Sequence, residues 1–225
     1  ASGEHGEKSL WDVTDGRRWA IETEGTGLAS RGPVFSPDGT LLFPNGLPFM
    51  QPQIGQKEEY YCFDLTTMPP SRLNLGHGEL IISPDGRRYA AVRGGRGTGN
   101  PRPVVLHELP SLREIGRLDV TGLDGAGFSP DGRWLALLVW RNEVIPPGSE
   151  RRPVMEIQLL DPATARVLVT IPSPGPTWGN YGWRFTPDGN ILAVYYRTGS
   201  NTSRPGDPDP SDRPMNVEIW EIPAR

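Results

Sequence analysis

Four times the chain turns the same corner. The phrases "VFSPDGTLLF", "IISPDGRRYAAV", "GFSPDGRWLALLVW" and "RFTPDGNILAVYY" share a Ser/Thr-Pro-Asp-Gly core running into an apolar stretch. The corner aspartates are Asp38, Asp85, Asp131 and Asp188, at intervals of about 50 residues. A period of this size marks a solenoid or a propeller rather than one continuous wound sheet. Pro presets the first central dihedral of a turn and Asp suits the second. Gly then takes the left-handed conformation that brings the chain back as a bulged hairpin. On this reading the aspartates belong to hairpins, not to catalysis.

The strand before each corner holds Phe35, Ile82, Phe128 and Phe185 at equivalent places. Two residues earlier, on the same strand face, stand Pro33, Leu80, Ala126 and Trp183. After the corner come nearly continuous apolar runs, as in a strand covered on both sides. A second signature follows each corner: "YYCFDL", "VVLHEL", "IQLLDP" and "VEIWEI", with an orphan copy, "SLWDV", near the start. Each copy is an apolar strand ending in an acid: Asp12, Asp64, Glu108, Asp161 or Glu221. Such an acid can accept hydrogen bonds from the N–H groups of the next turn. With one more strand after most copies, each full repeat is four antiparallel strands, here lettered a to d. The expected fold is therefore all-β, a propeller of four-stranded antiparallel blades with about four blades present.

The 28 Gly and 25 Pro argue against long helices. The seven Trp and the regular apolar runs argue for a folded chain. A net charge of −4 provides no overall basic field for nucleic acid. Cys62 is the single cysteine, so no intrachain disulfide forms. No apolar run approaches the ~20 residues of a membrane span. The start "ASGEHGEKSL" is read as processed, trimmed or fragmentary. The compartment stays open, with the cytoplasm favoured.

Trp11-Asp12 and the "SPDG" corners resemble the WD-repeat superfamily, in particular its divergent TolB-like and YVTN-like relatives. "LLDPATARVLVTIP" followed by "FTPDGNILAVYY" is similar to the latter group. The resemblance covers nearly the whole chain and implies a β-propeller that serves as a scaffold or accompanies a kinase, peptidase or secretion component. Only Gly76-His77 looks like the Gly-His pair of WD repeats, so their buried hydrogen-bond network is not expected. Blade stability should rest on apolar packing.

The expected units are a partial blade at 1–30, blades at 31–76, 77–123 and 124–173, and a blade lacking its outer strand at 174–225. This reads as a segment of a larger propeller of about six to eight blades. A compact four-bladed closure is the other arrangement. Strand alternation puts the a–b and c–d connections on one rim and the b–c connections on the other. All the long insertions fall on the second: "NGLPFMQPQIGQK", "RGGRGTGNPRP", "RNEVIPPGSERRP" and "TGSNTSRPGDPDPSDRP". Long loops of this kind carry function more often than short turns do. Arg93, Arg96 and Arg102 in one loop and Arg151 and Arg152 in the next could meet an acidic partner. Trp140, Trp178 and Tyr181 cluster near the same edge and could form a contact patch. These eight are the candidate partner-binding residues.

No nucleophile elbow, metalloprotease helix or phosphate loop is present. "DPDPSD" (207–212) spaces its acids like a calcium loop, but Asp212 stands where that loop needs Gly. No cofactor is expected, and Cys62 and His107 are assigned to packing. The leading function is a non-catalytic protein-interaction scaffold, of a kind that a larger multidomain chain could carry, with no nucleic acid and no membrane insertion. The alternatives are a lactonase-like propeller enzyme and the gating propeller of a prolyl-oligopeptidase-like peptidase.

Overall fold

The computed structural model describes residues 8–21, 33–44, 59–94, 100–143, 152–172, 177–198 and 215–223. Among them every regular element is a strand, and no helix is long and apolar enough to cross a membrane. The strands form five separate antiparallel sheets in chain order. An N-terminal pair consists of β1 (Lys8–Trp11) and β2 (Arg18–Ile21). Blade 1 contains β3 (Val34–Phe35), β4 (Leu41–Phe43), β5 (Glu59–Asp64) and β6 (Ser71–His77). Blade 2 contains β7 (Glu79–Ile82), β8 (Arg88–Val92), β9 (Arg102–Glu108) and β10 (Glu114–Val120). Blade 3 contains β11 (Leu123–Phe128), β12 (Leu135–Glu143), β13 (Arg152–Asp161) and β14 (Arg166–Pro172). Blade 4 has three described strands, β15 (Thr177–Phe185), β16 (Ile191–Thr198) and β17 (Met215–Glu221).

Within the three full blades each strand pairs with its sequence neighbour, so all are plain meanders. Because side chains alternate across a strand, each sheet has a front facing the next blade and a back facing the previous one. In β12, Leu135, Leu137 and Val139 join Ala90, Val92 and Leu106 of blade 2 in one buried cluster. The residues between them, Ala136 and Leu138, join Leu192, Val194 and Tyr196 of blade 4 in another. Blade 1 repeats the scheme: Phe43 and Cys62 pack forward against Leu80 and Tyr89. Its Leu42, Tyr61 and Phe63 pack backward with Leu10 of β1. The apolar runs after the corners are continuous because both faces of the second strand are interblade surfaces.

The N-terminal pair thus packs on blade 1 and forms its own sheet. It does not supply an outer strand to blade 4 in the sheet order of the described residues. A four-bladed closure in which β2 completes blade 4 is not seen among the described residues.

The corners show why Ser/Thr-Pro-Asp-Gly recurs. In the first, the Gly39 N–H donates to the Ser36 carbonyl at 2.8 Å and Gly39 sits at φ 71°. The Ser36 hydroxyl donates to Asp38 Oδ1 at 2.6 Å and accepts the Leu41 N–H at 2.9 Å. Asp38 Oδ1 also accepts the Thr40 N–H at 3.1 Å. The same Ser–Asp bond recurs at Ser83–Asp85 and Ser129–Asp131, both at 2.6 Å, and at Thr186–Asp188 at 2.5 Å. Ser36, Ser83 and Ser129 are buried, and a buried hydroxyl left unpaired would cost about 1–3 kcal/mol. The aspartate therefore satisfies a hydroxyl that the fold hides.

Successive corners also touch. A Cβ on Gly86 would lie 2.7 Å from Ser36 Cβ, and one on Gly189 would lie 2.5 Å from Asp131 Oδ2. Arg133 pairs with Asp131 and reaches Asn190 Oδ1 at 2.6 Å in the next corner. Each turn is seated against the turn of the blade before it, so all four corners share one rim.

Replacing Ser129 with Ala should lower the unfolding free energy by about 1–3 kcal/mol, read from urea denaturation, since the buried Trp134 N–H loses its acceptor. The Asp38 carboxyl is held down at about 2 by the Ser36 hydroxyl and then by the Thr40 N–H and hydroxyl. Its unfolded value is about 3.9, so its contribution is complete above that pH and is lost as pH falls through about 2. A melting-temperature series from pH 5 downward should fall less steeply for Asp38→Asn than for the parent.

Candidate functional site

The two rims differ in chemistry. On the corner rim, the polar groups are spent on their own turns or, as with Arg133, on the next one. The c–d turns use the strand-ending acids: Asp12 Oδ1 accepts the Thr14 N–H at 2.8 Å, Asp64 Oδ1 the Thr66 N–H at 2.9 Å, and Asp161 Oδ1 the Ala163 N–H at 2.8 Å. Glu108, one methylene longer, accepts instead from Arg113 Nε and the Ser111 hydroxyl, both at 3.1 Å. These bonds hold the Asp12 and Glu108 carboxyls below their ordinary range, through Thr14 for the first and Arg113 for the second.

The opposite rim carries the b–c connections 44–58, 93–101, 144–151 and 199–214. In blade 3 the strands run far into it, with Glu143 opposite Arg152 at the end of a long β12–β13 ribbon. In blade 4 the ladder extends to Arg197 opposite Met215. Arg93 is exposed here, and its N–H anchors the chain to the Pro103 carbonyl at 3.1 Å. Arg141 is exposed and pairs with Glu156 at 2.7 Å. Arg96 and Arg151 lie outside the described residues, as do "DPDPSD" and most of the four connections. Arg152 opens β13, and Trp178 and Tyr181 lie on β15 with Tyr181 opposite Tyr196; their side chains are outside what is described.

Two candidates lie elsewhere than expected. Arg102 is not a loop residue: it opens β9 and is 5% exposed. Its guanidinium pairs with Glu79 at 3.4 Å and donates to the Leu123 carbonyl of blade 3 at 3.1 Å. Counted back from the strand-ending acid, Arg102 holds the position of Met155 and Met215, which is a front-face packing position. The expected loop was drawn too long by two residues, and strict register would have revealed it. The ion pair lies within blade 2 at the base of the rim, the guanidinium reaches blade 3 through the Leu123 carbonyl, and the buried group is unavailable to a partner. Trp140 is half-buried against the blade 3–4 core, so packing accounts for most of its surface.

Two further reactive side chains among the described residues, Cys62 and His107, are committed to structure. Cys62 is buried at 0% exposure, and burial, then the Asp64 carboxylate, pushes its thiol up to about 12. His107 stacks on Tyr89 with centroids 4.7 Å apart and meets the Leu112 carbonyl at 3.2 Å through Nδ1. Among the described residues no group of three His, Cys, Asp or Glu could hold a metal. A cavity between blades 3 and 4, lined by Met155, Ile171, Val194 and Trp220 among others, measures about 10 Å³. That is room for one water at most.

Searches against protein-family models and curated proteins match nothing. Solved structures do match. Hydrazine synthase from Kuenenia stuttgartiensis aligns at 18% identity and TM-score 0.50, over 85% of this chain and 57% of that one. The β-propeller domain of the Trilobed protease from Pyrococcus furiosus, which has an open velcro topology, aligns at 15% identity and TM-score 0.51, over 85% and 54%. Acylaminoacyl peptidase from Pyrococcus horikoshii aligns at 14% identity and TM-score 0.51, over 72% and 26%. The fold is that of a β-propeller domain. At these identities the likeness concerns architecture alone. The chain spans little more than half of the first two proteins and about a quarter of the third.

Arg102→Ala removes the buried guanidinium from both the Glu79 carboxylate and the Leu123 carbonyl, and should cost about 3–5 kcal/mol in chemical denaturation. The double change Arg102→Met with Glu79→Leu should recover most of that loss. Native protein should leave Cys62 unreacted with a thiol reagent over hours, and full labelling should appear only with unfolding, followed by absorbance.

Proposed function

We propose that the chain is a non-catalytic propeller module, of the WD-repeat and TolB-like kind its corners resemble, that binds a protein partner through the b–c rim. One observation carries the reading. All four stacked corners and the bonded c–d turns lie on one rim, whereas every long connection emerges from the other. Growth without purpose would not select one edge of four consecutive blades. Rigid strand ends such as the β12–β13 ribbon would hold variable segments in fixed relation, which is how scaffolds present binding loops. Arg93, Arg96, Arg151 and Arg152 give that rim cationic side chains for an acidic partner surface, with Trp178 and Tyr181 as aromatic contacts. On this reading the chain supplies a surface and no catalytic groups. Fold alone does not fix function, and the gating role of a peptidase propeller is the alternative.

The test is chemical cross-linking of the protein in its native host, with mass spectrometry to locate the linked residues. Cross-links to one partner protein should map to 44–58, 93–101, 144–151 and 199–214. A variant with those segments cut to short turns should keep its melting temperature and lose the partner. Undiminished partner cross-linking by that variant would refute the assignment. Cross-links confined to a peptidase domain would favour the gating role.

A further inference from the structure

Blade 4 presents a surface that is buried in every other blade. Residues two, four and six places before the strand-ending acid point forward from strand c. In blade 3 these include Leu159 and Ile157, at 0% and 1% exposure, and in blade 2 Leu106 and Val104, at 0% and 1%. Cys62 is the blade 1 counterpart of Leu159 and is 0% exposed. The same places in β17 hold Ile219 at 71%, Val217 at 59% and Met215 at 48%. The apolar chemistry is kept, and no described strand covers it. The edge of β17 is open in the same way: β5, β9 and β13 each pair on both sides, and β17 pairs only with β16 among the described residues.

The other end of the stack is bare in the complementary sense. Trp11 on β1 is 58% exposed, and its backward-facing counterpart Leu160 is 0%. Phe35 on β3 is 51% exposed where Ile82 is 8%. One end thus shows an unused front and the other an unused back. Two-fold pairing of copies would set front against front and reproduce none of the internal contacts.

We infer that the front face and outer edge of blade 4 are an interface for a further blade of this same repeat, carried by the same polypeptide. This rests on the fold and is independent of the partner-binding reading. The occupant would bring a d strand like β14 to the edge of β17. It would also bring a back face with large apolar residues at the places of Leu135 and Leu192. An intramolecular source is favoured because the chain spans only 57% and 54% of two propeller-containing proteins of matching architecture. An exposed apolar edge of this length would otherwise recruit strands from other molecules.

Hydrogen exchange on the full-length natural polypeptide tests the inference. The β17 amides that β16 leaves unpaired should be protected as strongly as those that β13 offers to β14, at every protein concentration. Exchange within about tenfold of the unstructured rate would overturn it. So would protection that grows with concentration, which would make a second copy the occupant. In the same polypeptide, Val217→Lys with Ile219→Lys should lower the folded-to-unfolded ratio by at least about 100-fold. An unchanged ratio would contradict the burial proposed.

Discussion

Front-to-back contact between neighbouring sheets is the interaction on which everything else in this molecule depends. A single four-stranded meander has two apolar faces and cannot hide either one by itself. Setting the front of one blade on the back of the next hides both. The strict alternation within β8 and β12 serves this arrangement: Tyr89 and Ala91 look to one neighbour, Ala90 and Val92 to the other. Gly127 shows how close the inner strands come, since a Cβ there would lie 2.5 Å from the Trp183 ring of the next blade.

From that contact the polar chemistry follows. Tight stacking at the corner rim buries three of the four corner hydroxyls and leaves the aspartates to satisfy them. With that rim filled by turns seated on turns, length variation is confined to the b–c side. Even Arg102, buried at the base of the b–c rim, is held by Glu79 and a carbonyl of the adjoining blade. Under the proposed binding role, the b–c connections would supply the contacts and the blades the frame.

Much of the fold was legible because repetition multiplies a weak signal. One Pro-Asp-Gly turn says little, whereas four in register with five acid-ended strands specify blades, their order and their rims. The roles of the strand-ending acids at Asp12, Asp64 and Asp161 could be read from the turn residues that follow them. Two features were less legible. The need for a hydroxyl at the head of each corner was not apparent, because only tertiary stacking buries Ser36, Ser83 and Ser129 and makes the Ser–Asp bond necessary. Arg102 looked like a loop cation because "NPRP" reads as irregular chain, and its partners Glu79 and Leu123 are distant in sequence. Site residues on the b–c connections depend on side-chain placement that no periodicity governs, so residue type and rim were all that the sequence conveyed.

The most direct measurement is a pair of double-mutant cycles on blade 3. Leu106 and Leu137 belong to the blade 2–3 cluster, whereas Ile157 belongs to the blade 3–4 cluster. Front-to-back stacking predicts that Leu106→Ala and Leu137→Ala couple by about 0.5–3 kcal/mol in chemical denaturation. It predicts that Leu106→Ala and Ile157→Ala add to within about 0.5 kcal/mol. Additivity in the first pair together with coupling in the second would contradict the arrangement of blades described above.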